Sequence, residues 1–325
     1  MFLLIFLASA PVWAAGAIVD AAFVVEAQKR GAIVWDIRAA GDYAKGHIPG
    51  AVNIGFAGAV LRNANTEDYL PTEQVEKILG AGGIDPAKEV IVYSTRGDAF
   101  AYFGLYTMQY FGGRQAYVYH DGIDGWRAAG QTVSTQASKL APVALKLTPN
   151  PRVGVTTEQV ADAVKRPGVQ IVDARTAGEF SGNDIRAIRG GHIPGAVNIP
   201  YEQNWVDPYT AAKLSRKQVT DNAGMSLKAA EELRKLYAGL DPEKETIVYC
   251  QSGVRAAETA TVLSQLGFKN VKVYDSSWLG YAGRLSAPAA NETFFNVGAL
   301  NGRLATMQQR IEQLERELAA AKAAK

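Results

Sequence analysis

The 325-residue chain carries 34 Lys and Arg against 32 Asp and Glu, a net charge of +2, with 48% hydrophobic and 20% charged residues. That length suits two ordinary domains with cores of their own, and the composition excludes a disordered polymer. No sustained basic cluster appears, which argues against nucleic-acid binding.

Residues 2–10 form a nearly unbroken apolar run, followed by Pro11-Val12-Trp13-Ala14. A short apolar core with Ala14 at its end and Val12 two positions earlier predicts a signal peptide over residues 1–14. The run is too short to span a bilayer comfortably. No Lys or Arg precedes it, which a start codon assigned too far downstream would explain; an uncleaved membrane anchor or a misread start is the alternative. Export predicts a periplasmic or secreted protein in an oxidising compartment, yet a single Cys forms no internal disulfide.

Residues 15–138 read as a first domain. Ile33-Val34-Trp35-Asp36-Ile37-Arg38 is a strand-like run, and Gly46-His47-Ile48-Pro49-Gly50-Ala51 follows. A second run, Val90-Ile91-Val92-Tyr93, breaks into Ser94-Thr95-Arg96-Gly97. Ala116-Tyr117-Val118-Tyr119 is a further strand, closed by Asp124-Gly125-Trp126. Residues 139–151 hold Pro142, Pro149 and Pro151 without a clear period and read as an interdomain linker.

Residues 152–288 repeat the first domain. Thr156 with Gln159 predicts a capping box at the start of a helix. Gln170-Ile171-Val172-Asp173-Ala174-Arg175 answers the run at 33–38, and nine consecutive residues, 191–199, are identical in type to 46–54. Helical patterns cover 226–237 and 254–266, with Gly267 as a stop. Between them Thr246-Ile247-Val248-Tyr249 runs into Cys250, the chain's single cysteine, and Val271-Lys272-Val273-Tyr274 leads to Asp275-Ser276-Ser277-Trp278. The period exceeds a hundred residues, so this is domain duplication and not a solenoid. Short apolar runs without alternation predict strands buried on both faces of a parallel sheet. Their alternation with helices predicts two α/β domains, each a central parallel β-sheet flanked by helices.

The tail adds a C-terminal heptad helix over residues 295–320. Val297, Leu304, Ile311 and Leu318 fall at a; Leu300, Met307 and Leu314 fall at d. Arg310 at g faces Glu315 at e of a parallel partner. The seam, residues 297–318, predicts self-association or a partner helix; an amphipathic helix folded onto its own domain is the plainer reading.

Cys250 sits where a strand ends and a helix opens. Backbone N–H groups and the helix dipole at such a corner favour an anion, so this sulfur is expected to be held as thiolate. Gly253 permits a tight loop and Arg255 adds positive charge. A buried, inert cysteine is the competing reading.

Cys250-Gln251-Ser252-Gly253-Val254-Arg255-Ala256 resembles the active-site loop of the rhodanese-type sulfurtransferases. The Gly-His-Ile-Pro-Gly-Ala segments at 46–51 and 191–196 and the Asp-x-Arg pairs Asp36/Arg38 and Asp173/Arg175 resemble that family's other hallmarks. The likeness covers about residues 20–135 and 152–287. It implies two rhodanese-like domains, of which only the second carries the cysteine. It implies that Cys250 takes the sulfane sulfur of thiosulfate or 3-mercaptopyruvate as a persulfide and passes it to cyanide or a thiol, as ping-pong covalent catalysis. Gln251, Ser252, Gly253, Val254 and Arg255 would bind substrate through the loop N–H groups. Arg255 favours thiosulfate. Arg175, Arg186 and Arg189 are further anion-binding candidates, equally readable as structural ion pairs. Asp173 and His192 read as structural, because the copy without cysteine keeps Asp36 and His47. No cofactor is implied, and the three histidines make no zinc spacing with the cysteine.

Three rivals remain. Phosphatases and arsenate reductases use Cys-x5-Arg, whereas Cys250 to Arg255 is Cys-x4-Arg, a smaller cradle. A persulfide carrier, or sulfur-relay module, would serve a partner protein. The first copy could be purely structural, with an acid at Asp98 and Ala99 in the place of Arg255.

Overall fold

A computed structural model describes residues 16–323, so the leader reading at 1–14 falls outside the described residues. In the first domain, β1 (Ile18–Val19), β2 (Ile33–Asp36), β3 (Val90–Tyr93) and β4 (Ala116–Tyr119) form a parallel sheet in the order β1-β4-β3-β2. In the second, β5 (Gly154–Val155), β6 (Val169–Asp173), β8 (Val197–Asn198), β9 (Glu245–Tyr249) and β10 (Asn270–Tyr274) form a parallel sheet in the order β5-β10-β9-β6-β8. Beside it, β7 (Arg189–His192) pairs antiparallel with β11 (Ala290–Phe294). The fold is α/β in both copies, with helices between the strands.

The central strands are apolar throughout because both faces are covered: every residue of β3 is buried, and so are Thr246 through Tyr249 of β9. The outer face of each sheet has its own cluster. One gathers Val24, Ile91, Tyr93 and Trp126; the other gathers Val160, Ile247, Tyr249 and Trp278. The facing sides share a single larger core. There the Phe100–Tyr110 helix lies beside the Val254–Gln265 helix, and Tyr102, Tyr106, Ala256, Ala257 and Ala260 are all buried. The small residues on Val254–Gln265 allow the close approach.

Local rules place several boundaries. Thr156 accepts from the Gln159 N–H while Gln159 Oε1 accepts from the Thr156 N–H, the reciprocal cap that opens Thr157–Ala163. Residues 139–151 contain no helix or strand, and Leu147 is anchored through its N–H to Glu76 Oε1. Two boundaries differ from expectation. The helix expected over 226–237 is only Ala230–Leu236, because Leu227 is drawn into an extended bridge with Trp205. The second domain also runs past residue 288, since β11 covers the β7 edge and Glu292 pairs with the buried Arg189. The tail is one exposed helix, Val297–Ala323.

Candidate active site

Cys250 directly follows β9, the middle strand of the five-stranded sheet, and lies four residues before the helix Val254–Gln265. This is the carboxyl edge of a parallel sheet, where α/β folds place their sites. The turn between strand and helix closes on Gly253, which has φ +82 and would put any Cβ 2.4 Å from Asp275 Oδ1. Only glycine fits there.

Ser277 holds this turn from below. Its Oγ accepts the Cys250 N–H at 3.0 Å and the Gly253 N–H at 3.0 Å, and donates to the Tyr274 carbonyl at 2.6 Å. Gly253 therefore points its N–H at a serine rather than at the space over the sulfur. Among the described residues none accepts a hydrogen bond from the backbone N–H of Gln251, Ser252, Val254 or Arg255. Those four donors, at the positive end of a twelve-residue helix, are free to receive an anion. Gln251 ties the loop sideways, donating from Nε2 to the Arg186 carbonyl at 2.7 Å. Cys250 itself is only 1% exposed.

One carboxylate organises the charge beside the loop. Glu179 occupies the third position of the helix Ala177–Phe180, in a capping box with Thr176. From there it accepts a two-pronged bond from Arg255, Nη1 at 2.8 Å and Nη2 at 2.9 Å. Arg186 Nη1 joins it at 3.2 Å. Burial opposes ionisation of Glu179, but the Arg255 fork, the Thr176 N–H and Arg186 together bring its pKa down to about 2. Burial likewise works against the charge on Arg255, and Glu179, Cys250 and Glu202 outweigh it, so the guanidinium is held firmly charged. Two guanidiniums thus converge on Glu179 at the mouth of the loop, with Glu202 near enough to act on Arg255.

Comparison with known proteins gives this geometry a family. The Rhodanese-like domain matches twice, over residues 20–129 and 156–284. The chain belongs to the rhodanese family, whose relatives are sulfurtransferases by name. A Thiosulfate sulfurtransferase of Corynebacterium glutamicum is 34% identical over 259 residues, which is 76% of this chain and 80% of that protein. A Putative thiosulfate sulfurtransferase of Haloferax volcanii is 30% identical over 257 residues, 76% of this chain and 84% of that one. Among solved structures, an anaerobic ergothioneine biosynthesis enzyme from Chlorobium limicola superposes with a TM-score of 0.70 over 84% of this chain and 69% of its own. At 21% identity that likeness speaks for the fold alone.

Within this rhodanese the sequence-selected residues separate. Cys250, Gln251, Ser252, Gly253, Val254 and Arg255 come together in one turn. Arg175 does not join them: it is buried against Asp173, donates to the Gly191 carbonyl at 2.8 Å, and lies 4.7 Å from the Trp278 ring centroid. Arg38 repeats this on Asp36 and the Gly46 carbonyl. The Asp-x-Arg pair thus ties the strand end to the Gly-His-Ile-Pro-Gly turn in both copies. His192 bonds the Phe180 carbonyl at 2.8 Å and stacks on the Phe180 ring, as His47 does with Tyr43. Arg189 is spent on Glu292 and on the carbonyls of Ala282, Arg284 and Ala287.

Three residues of the rhodanese loop's surroundings were not singled out from sequence. Glu179 and Ser277 are described above. The third is Arg62 of the first domain, whose Nη2 donates to the Ser252 carbonyl at 2.6 Å. The Thr176-x-x-Glu179 spacing marks Glu179 only as a helix cap, the repeat offered a hint at Ser277, whose position in the cysteine-free copy is Gly122, and no local pattern marks Arg62. Among the described residues no group of three or more His, Cys, Asp and Glu is placed to hold a metal ion.

Proposed function

We propose that this protein transfers the sulfane sulfur of thiosulfate through a persulfide on Cys250. The observation that carries the reading is the loop itself: four uncommitted N–H donors at a helix start directly after one cysteine, with the guanidiniums of Arg255 and Arg186 beside them. In the first half-reaction the Cys250 thiolate attacks the outer sulfur of thiosulfate. The S–S bond of the donor breaks, and sulfite leaves with its electron pair. The new Cys250 persulfide carries its negative charge on the terminal sulfur, where the N–H groups of Gln251, Ser252, Val254 and Arg255 stabilise it. Cyanide or a thiolate then attacks that terminal sulfur, and the Cys250 thiolate departs unchanged.

Arg255, already committed to Glu179, acts through the charge of the pair and Arg186 rather than as a free clamp. A dianionic donor gains more from that field than a monoanion, which favours thiosulfate over 3-mercaptopyruvate. Intact-mass measurement after incubation with each donor tests the proposal. A gain of one sulfur atom, larger with thiosulfate and absent in Cys250→Ser, supports it. No gain with either donor rejects it. Slow turnover with cyanide beside fast transfer to a protein thiol would instead favour a sulfur-relay role, to which the exposed tail is suited.

We place the activity outside the cytoplasm, on the apolar run at 2–10. Recovery of the protein in a periplasmic fraction with Ala15 at its N-terminus would support this; a cytosolic protein retaining Met1 would reject it.

A further inference from the structure

The tail helix Val297–Ala323 is exposed at every described position. Its large apolar side chains lie on one stripe and range from 38% exposed at Leu300 to 61% at Met307. Among the described residues nothing covers that stripe, so the helix does not pack on its own described domain. An apolar seam three heptads long in water calls for a partner.

We propose that the seam pairs in parallel with the same seam of a second copy of this chain. The core positions select two strands. Two of the four a residues, Val297 and Ile311, are β-branched, and the d residues are Leu300, Met307 and Leu314. That distribution suits parallel dimers better than trimers or tetramers.

The flanking charges select the direction. In a parallel pair, g of one helix meets e of the next heptad on the other. This sets Arg310 against Glu315 and Glu317 against Lys322, both attractive and each made twice by symmetry. An antiparallel pair in full overlap sets g against g: Arg310 then faces its own copy, a repulsive contact, while Arg303 meets Glu317, so the parallel pair, with only attractive contacts, is favoured. Within one helix, Gln313 donates to Glu317 at 2.8 Å, which holds that carboxylate along the edge of the seam. The pairing is independent of the chemistry assigned to Cys250 and places two catalytic domains on one stalk.

Sedimentation of the full chain tests this. The expected species is a dimer, converted to monomer by Ile311→Asp with sulfurtransferase activity per chain retained. Arg310→Glu alone and Glu315→Arg alone each weaken dimerisation by about tenfold, and the double exchange restores it. A monomeric or trimeric wild-type chain overturns the proposal. So does a dimer indifferent to Ile311→Asp, or a double exchange that fails to recover the affinity of the singles' parent.

Discussion

Arg62, in the domain without a cysteine, donates to the Ser252 carbonyl of the active-site loop across 190 residues of chain. The guanidinium rests 5.0 Å over the Phe103 ring and 3.9 Å from Asp275 Oδ1. Drawing the Ser252 carbonyl outward fixes the plane of the Ser252–Gly253 peptide, whose N–H then meets Ser277. The contact has a counterpart. His120 of the first domain bonds the Met225 carbonyl at 2.8 Å, and Met225 Cβ would lie 2.5 Å from a Cβ on Gly97. Each domain thus reaches over the other's strand-end loop. The cysteine-free copy serves the site as a brace.

Arg62→Ala is therefore expected to slow persulfide formation. A charge-assisted hydrogen bond of this kind is worth about 1.5–3 kcal/mol, so a loss of roughly four- to twelvefold in single-turnover rate follows if half of it is felt at the loop. Arg62→Lys keeps a charge and a donor and recovers part of the rate. A wild-type rate in Arg62→Ala, with the protein folded, would show that the loop holds its shape unaided.

Ser277→Ala removes the one oxygen that accepts both the Cys250 and the Gly253 N–H. Two buried donors lose their partner at about 1–3 kcal/mol each, so stability falls by roughly 2–6 kcal/mol. Ser277 has φ +48, which makes Ser277→Gly the better control: glycine tolerates that backbone and removes only the hydroxyl. Both variants are expected to lose turnover through kcat more than through KM. A denaturation midpoint equal to wild type in both would remove the hydroxyl from the account.

What the sequence made legible was local. The Thr156 box, Gly253 at the turn and the apolar central strands follow from neighbours a few residues apart. The repeat exposed Asp173 and His192 as structural, because the inert copy keeps both. What stayed hidden was contact across the fold. Glu179 lies 76 residues from Arg255, and Arg62 lies 190 from Ser252. No period links such pairs. Arg175 was left between two readings for the same reason: an arginine's charge looks alike in a pocket and in a buried ion pair, and only its burial against Asp173 separates the two. β11 escaped notice because three of its five residues, Asn291, Glu292 and Thr293, are polar and none is buried, so it lacks the apolar run that marked the central strands.

Acid should strip the loop of its charge organiser. Glu179 has a folded pKa of about 2 against an ordinary 4.5, so the folded state binds its proton later than the unfolded state does. Its stabilisation is complete above pH 4.5 and is lost as pH falls towards 2. Taken in full the shift corresponds to roughly 3–4 kcal/mol, and solvent screening brings it to about 2–3 kcal/mol. Asp275 behaves oppositely. Burial lifts it to about 7, only partly offset by Arg62, so its ionisation costs stability as pH rises from about 4 to 7. Denaturation of Glu179→Gln is expected to show a flattened acid limb, and Asp275→Asn a flattened neutral one. Unchanged pH profiles in these variants would contradict the assignments.

Moving the sulfur to the other copy is not expected to move the activity. Ser94 stands where Cys250 does, and the frame is shared: Ile123 donates its N–H to the Ser94 carbonyl as Trp278 does to Cys250. The cradle is not shared. The Ser94 hydroxyl donates to Asp98, whose other oxygen accepts the Phe100 N–H, so a resident carboxylate fills the place of the substrate anion. The Arg96 N–H is taken by Asp124, Ala99 replaces Arg255, and Gly122 has no hydroxyl to stand in for Ser277. A thiolate at 94 would face Asp98 with no cation paired as Arg255 is. The Ser94→Cys, Cys250→Ser protein should fold and give no thiosulfate-dependent mass gain and no thiocyanate from cyanide. Measurable turnover in that variant would mean that the Gln251–Arg255 loop and its Glu179–Arg255 neighbour are dispensable, and that a cysteine at any such strand end suffices.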